Sequence, residues 1–285
     1  MSSRFLVSTL AAAILAALAG PLVPAAALST EAQTSPAQTA TRLREVDGTV
    51  AEALSELQQL QQSQPTTLIA TLDKPIHLAR TERLLHDAVR EEQTDIYLLA
   101  GDPATEREVE ARLPSPLDAQ VRDLSAALRA IWRLAEVTDI TDIHPHFVRD
   151  YADSLPIATL VGDYQGAAGL YGMDWTYLAA INYVETDFGR VLGPSVTGAE
   201  GPMQFEPATW SAYGTGSVMS PSDSIDAAAK YLSANGAPTT MAQAVYAYNP
   251  AWDYVEGVTR YAAVIRRDPT WYTRLYYWST AEPGK

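Results

Sequence analysis

The chain has 285 residues, 47% of them hydrophobic, enough to bury a sizeable core in one or two domains. With no cysteine, it has no disulfide, no thiolate metal site and no cysteine nucleophile. Its formal net charge is −14, with 12 basic and 19 acidic side chains in residues 1–139 and 8 and 15 in the rest. That even spread argues against a basic patch for nucleic acid or anionic membrane.

The N-terminus reads as an address. Arg4 precedes an Ala- and Leu-rich apolar run from Phe5 to Leu18, broken by Gly20, Pro21 and Pro24 before Ala25-Ala26-Ala27. This pattern predicts a secretion signal over residues 1–28. The single charge at Arg4 and the length of the apolar stretch also fit an uncleaved membrane anchor. Both readings place the folded part outside the cytoplasm, secreted or held at the membrane. Residues 29–41 contain few large apolar groups and are expected to form a flexible linker.

Three helices are predicted next. From Arg42 to Gln64, apolar residues Leu43, Val46, Val50, Leu54, Leu57 and Leu60 recur every three or four positions, and Pro65 ends the run. A second helix spans about 75–100, with Leu78, Leu84, Leu85, Val89, Ile96 and Leu98 on its apolar side, before the break at Gly101-Asp102-Pro103 and an acidic turn. The third runs over 117–137, with Val121, Leu124, Leu128, Ile131 and Leu134 at helical spacing. Residues 42–137 therefore read as a smaller all-α region, which also offers a candidate surface for other proteins. His144 and His146 form a spaced pair without a third ligand, so no metal is expected there.

Residues 138–285 read as a second domain. A helix is predicted over 152–162 and a linker over 164–173. Asp174 then suits an N-cap before an apolar run in which Leu178, Ile181 and Glu185 fall at i, i+3 and i+7. A carboxylate thus occupies a position where a core residue belongs. Gly189 marks the stop, which puts Glu185 in the last turn, where both burial and the helix dipole disfavour its anion. A carboxyl kept protonated near neutral pH is what a general acid requires. A Glu that reaches out at the helix end, or that pairs with Arg190, fits the same pattern.

The rest of the chain is also helical in pattern. Gly198 to Phe205 is a turn-rich approach to a helix opening at Pro207, and further helices are expected over 225–232, 241–248, 254–266 and 271–278. No section is strand-rich, so the fold class is mainly α.

Three motifs stand in order: a helix Glu at 185, then Gly198-Ala199-x-Gly201-x-Met203-Gln204, then Ala247-Tyr248-Asn249. Over about residues 140–281 the chain resembles the goose-lysozyme-like catalytic domain of soluble lytic transglycosylases. The wording INYVETDFGR, GPMQFEPATW and AYNP is similar to that of secreted enzymes from high-GC Gram-positive bacteria. The resemblance implies a lysozyme-like helical domain acting on peptidoglycan glycan strands, with no cofactor and no metal. It also implies that Glu185 is the sole acid and base. The substrate's N-acetyl group helps at the anomeric carbon, and the muramoyl C6 hydroxyl closes a 1,6-anhydro ring.

Motif positions carry over as substrate-binding residues: Ser195 near the N-acetyl side, Met203 and Gln204 of the M-Q pair, and Tyr248 and Asn249 flanking the acid. Tyr248 is expected to orient Glu185 through a hydroxyl hydrogen bond, while the amides of Gln204 and Asn249 also suit backbone capping. Two positions depart from the family pattern. Thr186 replaces the usual Ser, and Glu206 stands where Met is common. A second carboxylate, Glu206 or Asp187, would let water compete with ring closure, which defines the alternative of a lysozyme-type hydrolase. A wall-glycan-binding protein without turnover is the third reading.

Overall fold

A computed structural model describes residues 34–64, 67–135, 152–195 and 197–278. The secretion signal or anchor, most of the linker and the pair His144 and His146 lie outside the described residues. Among the described residues there are eleven α-helices and, apart from an isolated bridge between Glu200 and Phe205, no strand pairing. The mainly α expectation is borne out. No described helix is long and apolar enough to cross a membrane. The described residues fall into two compact units divided between Arg122 and Asp123, upstream of the boundary expected at 137.

The N-terminal unit contains α1 (Pro36–Gln62), α2 (Leu68–Gly101), α3 (Pro103–Glu110) and the start of α4 (Leu117–Leu134). Helix α1 begins six residues before Arg42, so 36–41 are helix and not linker. Ser35 and Gln38 form a capping box, with the Ser35 backbone N–H donating to the Gln38 side chain at 2.9 Å and Pro36 in the first turn. The absence of large side chains misled here, because a good cap and a buried Ala40 suffice to start the helix.

Helix α2 runs through Pro75, whose missing N–H frees the carbonyl of Thr71, a residue exposed to solvent. The acidic turn is helix α3, because Asp102 accepts from the N–H groups of Ala104 and Thr105 at 3.0 and 3.2 Å. Helix α1 packs along α2, and α3 packs on both, around Leu43, Leu99, Val109, Leu117 and Val121. Leu84, expected inside, is exposed.

The C-terminal unit takes the remainder of α4 together with α5 (Ile157–Tyr171), α6 (Thr176–Thr186), α7 (Pro207–Tyr213), α8 (Pro221–Ala234), α9 (Met241–Tyr248), α10 (Trp252–Arg267) and α11 (Thr270–Trp278). One helix, α5, replaces the expected helix and linker over 152–173. Helix α6 is the centre: α5, α8 and α10 pack on it, and every residue from Leu178 to Thr186 is buried. Its Leu178, Ile181 and Glu185 stripe is therefore one side of a helix with little wet face.

Two devices hold α10 against α4. A Cβ at Gly257 would lie 2.6 Å from Ile131 Cδ1, so a larger residue there would have to displace the end of the Ile131 side chain. Arg260 and Arg267 both donate to Asp123 at 2.9 Å, and Arg133 bridges Asp253 and Glu256 at 2.8 Å.

Candidate active site

Glu185 sits in the last turn of α6 and is 3% exposed. Its Oε1 accepts a hydrogen bond from Tyr254 Oη of α10 at 2.6 Å, and Oε2 accepts none from a described residue. Removal from water raises the carboxyl from its ordinary 4.5 to about 7, against the opposing pull of the Tyr254 bond, which favours the anion. A second carboxylate plays no part in that rise. Burial and the neighbouring Glu185 push the phenols of Tyr248 and Tyr254 well above their usual range, so both remain neutral donors.

The helix ends on three successive left-handed residues, Asp187 (φ 52°), Phe188 (φ 59°) and Gly189 (φ 81°). The glycine accepts this freely, whereas the left-handed conformation costs ~1–2 kcal/mol for each ordinary residue. Local bonds hold the turn. Asp187 N–H donates to Tyr183 O at 2.9 Å, Phe188 N–H to Asn182 O at 3.2 Å, and Gly189 N–H to Thr186 Oγ1 at 3.1 Å. The Thr186 hydroxyl in turn donates to Pro202 O at 2.5 Å, and Asn182 Nδ2 donates to the same carbonyl at 2.7 Å. The Ser-to-Thr departure thus keeps a hydroxyl that ties the end of α6 to the glycine-rich loop.

That loop is a tight turn. Gly201 has φ +75°, and a Cβ there would stand 2.0 Å from Val218 O, so no other residue fits. Glu200 and Phe205 exchange backbone hydrogen bonds of 2.9 Å, with Gln204 at φ 49° beside them. Gln204 is half-buried and its side-chain Nε2 donates to Gly201 O at 3.0 Å. Met203 is fully buried, and its carbonyl accepts from Tyr248 Oη at 2.6 Å.

The expected bond from Tyr248 to Glu185 is therefore replaced. Tyr248 fastens the loop, and Tyr254 holds the acid. Ser195 is buried and shapes the loop from the other side, accepting from Ala199 N–H at 2.9 Å and bonding Thr197 Oγ1 at 2.9 Å. Asn249 caps the end of α9, is buried, and its amide bonds to no described residue.

The other acids are engaged elsewhere. Glu206 is exposed and accepts from Thr197 Oγ1 at 2.7 Å. Asp187 is buried against Arg190 at 3.3 Å, and Glu200 faces solvent. Among the described residues no three His, Asp or Glu side chains are grouped to hold a metal ion.

Residues 164–259 match the model of the transglycosylase SLT domain. The match runs from α5 to α10 and includes Glu185, the loop, Tyr248, Asn249 and Tyr254. It supports a lytic transglycosylase catalytic domain for peptidoglycan, on the lysozyme-like all-α fold. No curated protein and no solved structure matches the chain.

Within the matched segment, Tyr254 is the residue that the sequence pattern did not single out. A signal was present. Tyr254, Val258 and Tyr261 fall at i, i+4 and i+7 and are all fully buried, so the Tyr254 hydroxyl points inward from the start of α10.

Proposed function

We propose that the SLT domain cleaves the β-1,4 bond between N-acetylmuramic acid and N-acetylglucosamine in peptidoglycan and leaves 1,6-anhydromuramoyl ends. The observation that carries this reading is Glu185, a buried carboxyl that meets only a neutral phenol and keeps its proton to about pH 7. Glu185 donates that proton to the glycosidic oxygen as its bond to C1 breaks, which frees the glucosamine O4 as a hydroxyl. The substrate's N-acetyl oxygen supports the positive charge at C1. The Glu185 carboxylate then takes the proton of the muramoyl C6 hydroxyl as O6 bonds to C1. The acid is regenerated and no water is consumed.

Tyr254 serves the middle of this cycle, because its hydrogen bond is stronger to the carboxylate than to the acid. The amides of Gln204 and Asn249 are the groups we assign to sugar hydroxyl and N-acetyl oxygens. Met203 and Tyr248 build the floor, and Ser195 sets the loop. Glu206 is exposed and turned to Thr197, Asp187 is buried against Arg190, and neither acts on the Glu185 carboxyl, which favours ring closure over hydrolysis. The apolar pattern of residues 1–28 supports an activity outside the cytoplasm, at the cell wall, where it would serve wall remodelling. The N-terminal unit is the part available to wall-protein partners.

Mass spectrometry of products from purified sacculi tests the reaction. Anhydromuramoyl ends are expected, and reducing muramic ends would overturn the lyase reading.

A further inference from the structure

We infer that the buried Asp187–Arg190 pair, covered by Tyr276 of α11, is a positioning clamp that sets the place and the electrostatic surroundings of Glu185. The inference rests on the proposed role of Glu185 and concerns residues that this role does not itself employ.

The need for a clamp follows from the local backbone. Glu185 is held by a single side-chain hydrogen bond, so its position depends on the last turn of α6. That turn is followed at once by two non-glycine residues in the left-handed region, Asp187 and Phe188. Such a conformation persists only where the surroundings over-determine it.

The surroundings here do so. Arg190 Nη1 donates to the Asp187 backbone carbonyl at 3.2 Å and to its Oδ1 at 3.3 Å, so one guanidinium grips both the main chain and the side chain of the left-handed residue. Arg190 is 2% exposed and the Asp187 side chain 0%. The guanidinium lies 4.2 Å from the ring centroid of Tyr276, whose hydroxyl donates to Leu155 O at 3.1 Å. Phe188 is wedged against Tyr183 and Tyr272, at ring separations of 5.2 and 5.0 Å. The closing helix is thereby fastened to the end of the acid's helix.

The pair also matches charge. A lone aspartate two residues from Glu185 would oppose its ionisation, and a lone arginine would favour it. Together they are close to neutral. Among the described residues, the remaining titratable groups around Glu185 are uncharged phenols: Tyr254 from α10, Tyr248 from α9 with Tyr231 of α8 behind it, and Tyr164 of α5 on Asn182. On α11, Tyr272 and Tyr276 face the pair.

The test uses the full chain and soluble glycan strands, with kcat, KM, the pH profile and thermal stability measured for each variant. Arg190→Gln is expected to lower kcat about a hundredfold with KM unchanged, the scale of a small misplacement of a reacting group. Arg190→Lys keeps the charge but not the planar guanidinium over the Tyr276 ring and is expected to recover part of that loss. Asp187→Asn leaves an arginine that is always charged beside the acid, and is expected to move the alkaline limb of kcat to lower pH.

If Arg190→Gln does not fold, Tyr276→Leu removes the half-exposed cover alone, and a smaller kcat loss at constant KM is expected. A folded Arg190→Gln, or a Tyr276→Leu, with wild-type kcat and an unmoved limb overturns the clamp. Glu185→Gln separates the two ideas. If that variant remains active, the functional reading fails; if it is dead while Arg190→Gln is unimpaired, the clamp alone fails.

Discussion

Asp95 of the N-terminal unit and Glu185 of the C-terminal unit are both removed from water, at 1% and 3% exposed, but they are given different partners. Asp95 receives a forked guanidinium, with Arg42 Nε on Oδ2 at 2.8 Å and Nη2 on Oδ1. Glu185 receives a neutral phenol. Burial raises both carboxyls above their ordinary values. For Asp95 the hydrogen bond and charge of Arg42 then oppose that rise, while for Glu185 only Tyr254 does. A buried carboxylate becomes a proton donor when the fold withholds a cation from it. Asp187, two residues from the acid, repeats the Asp95 solution with Arg190, so both solutions occur within one turn.

The largest effect expected from breaking this contrast is at the acid itself. Glu185→Gln should lower turnover at least ~10³-fold, the upper part of what one general acid supplies, with the fold intact by circular dichroism. It should also change stability in a definite direction. A folded carboxyl raised to about 7 from 4.5 contributes stability that is fully present below pH 4.5 and is lost as pH rises through about 7. Wild type should therefore melt below Glu185→Gln at pH 8, by up to ~3 kcal/mol, and the gap should close in acid.

The N-terminal counterpart should behave in the opposite sense. Arg42→Met strands Asp95 and is expected to cost ~3–5 kcal/mol of stability in denaturant unfolding, while kcat per folded molecule is unchanged. A loss of kcat in folded Arg42→Met would show that the two buried acids are not functionally separate.

Smaller effects sharpen the contrast. Tyr254→Phe removes the bond that favours the Glu185 anion. The alkaline limb of kcat should then move to higher pH, and kcat should fall about tenfold, the usual scale for one lost charge-assisted bond. Tyr248→Phe should cost only ~1 kcal/mol in unfolding, because its hydroxyl serves the Met203 carbonyl. The smallest change is expected from Glu206→Gln. Since Thr197 holds that side chain, the ratio of anhydro to reducing products should not alter.

The acid was legible in the sequence because a Glu on a helical apolar stripe is anomalous whatever surrounds it, and the glycine-rich loop because Gly201 answers a steric demand that no other residue meets. The helical class was legible from periodicity alone. What escaped was set by distant partners. The hydroxyl that reaches Glu185 comes from Tyr254, 69 residues away, and nothing in the spacing of Tyr248 and Asn249 distinguishes a phenol aimed at a carboxyl from one aimed at a carbonyl.

Helix ends were misjudged for a different reason. Large apolar residues do not mark the start of α1, which the Ser35–Gln38 capping box sets, nor the passage of α2 through Pro75. The run of left-handed residues after Glu185 was also hidden, since only Gly189 announces such a conformation. Asp187 and Phe188 are held there by contacts with Arg190 and α11.

The central claim is that Glu185 holds its proton to near neutrality, and carbon-13 NMR titration of its side-chain carboxyl in the full chain, identified by the signal missing from Glu185→Gln, tests it most directly. The account predicts a midpoint of about 7. A midpoint close to the ordinary 4.5 would contradict it.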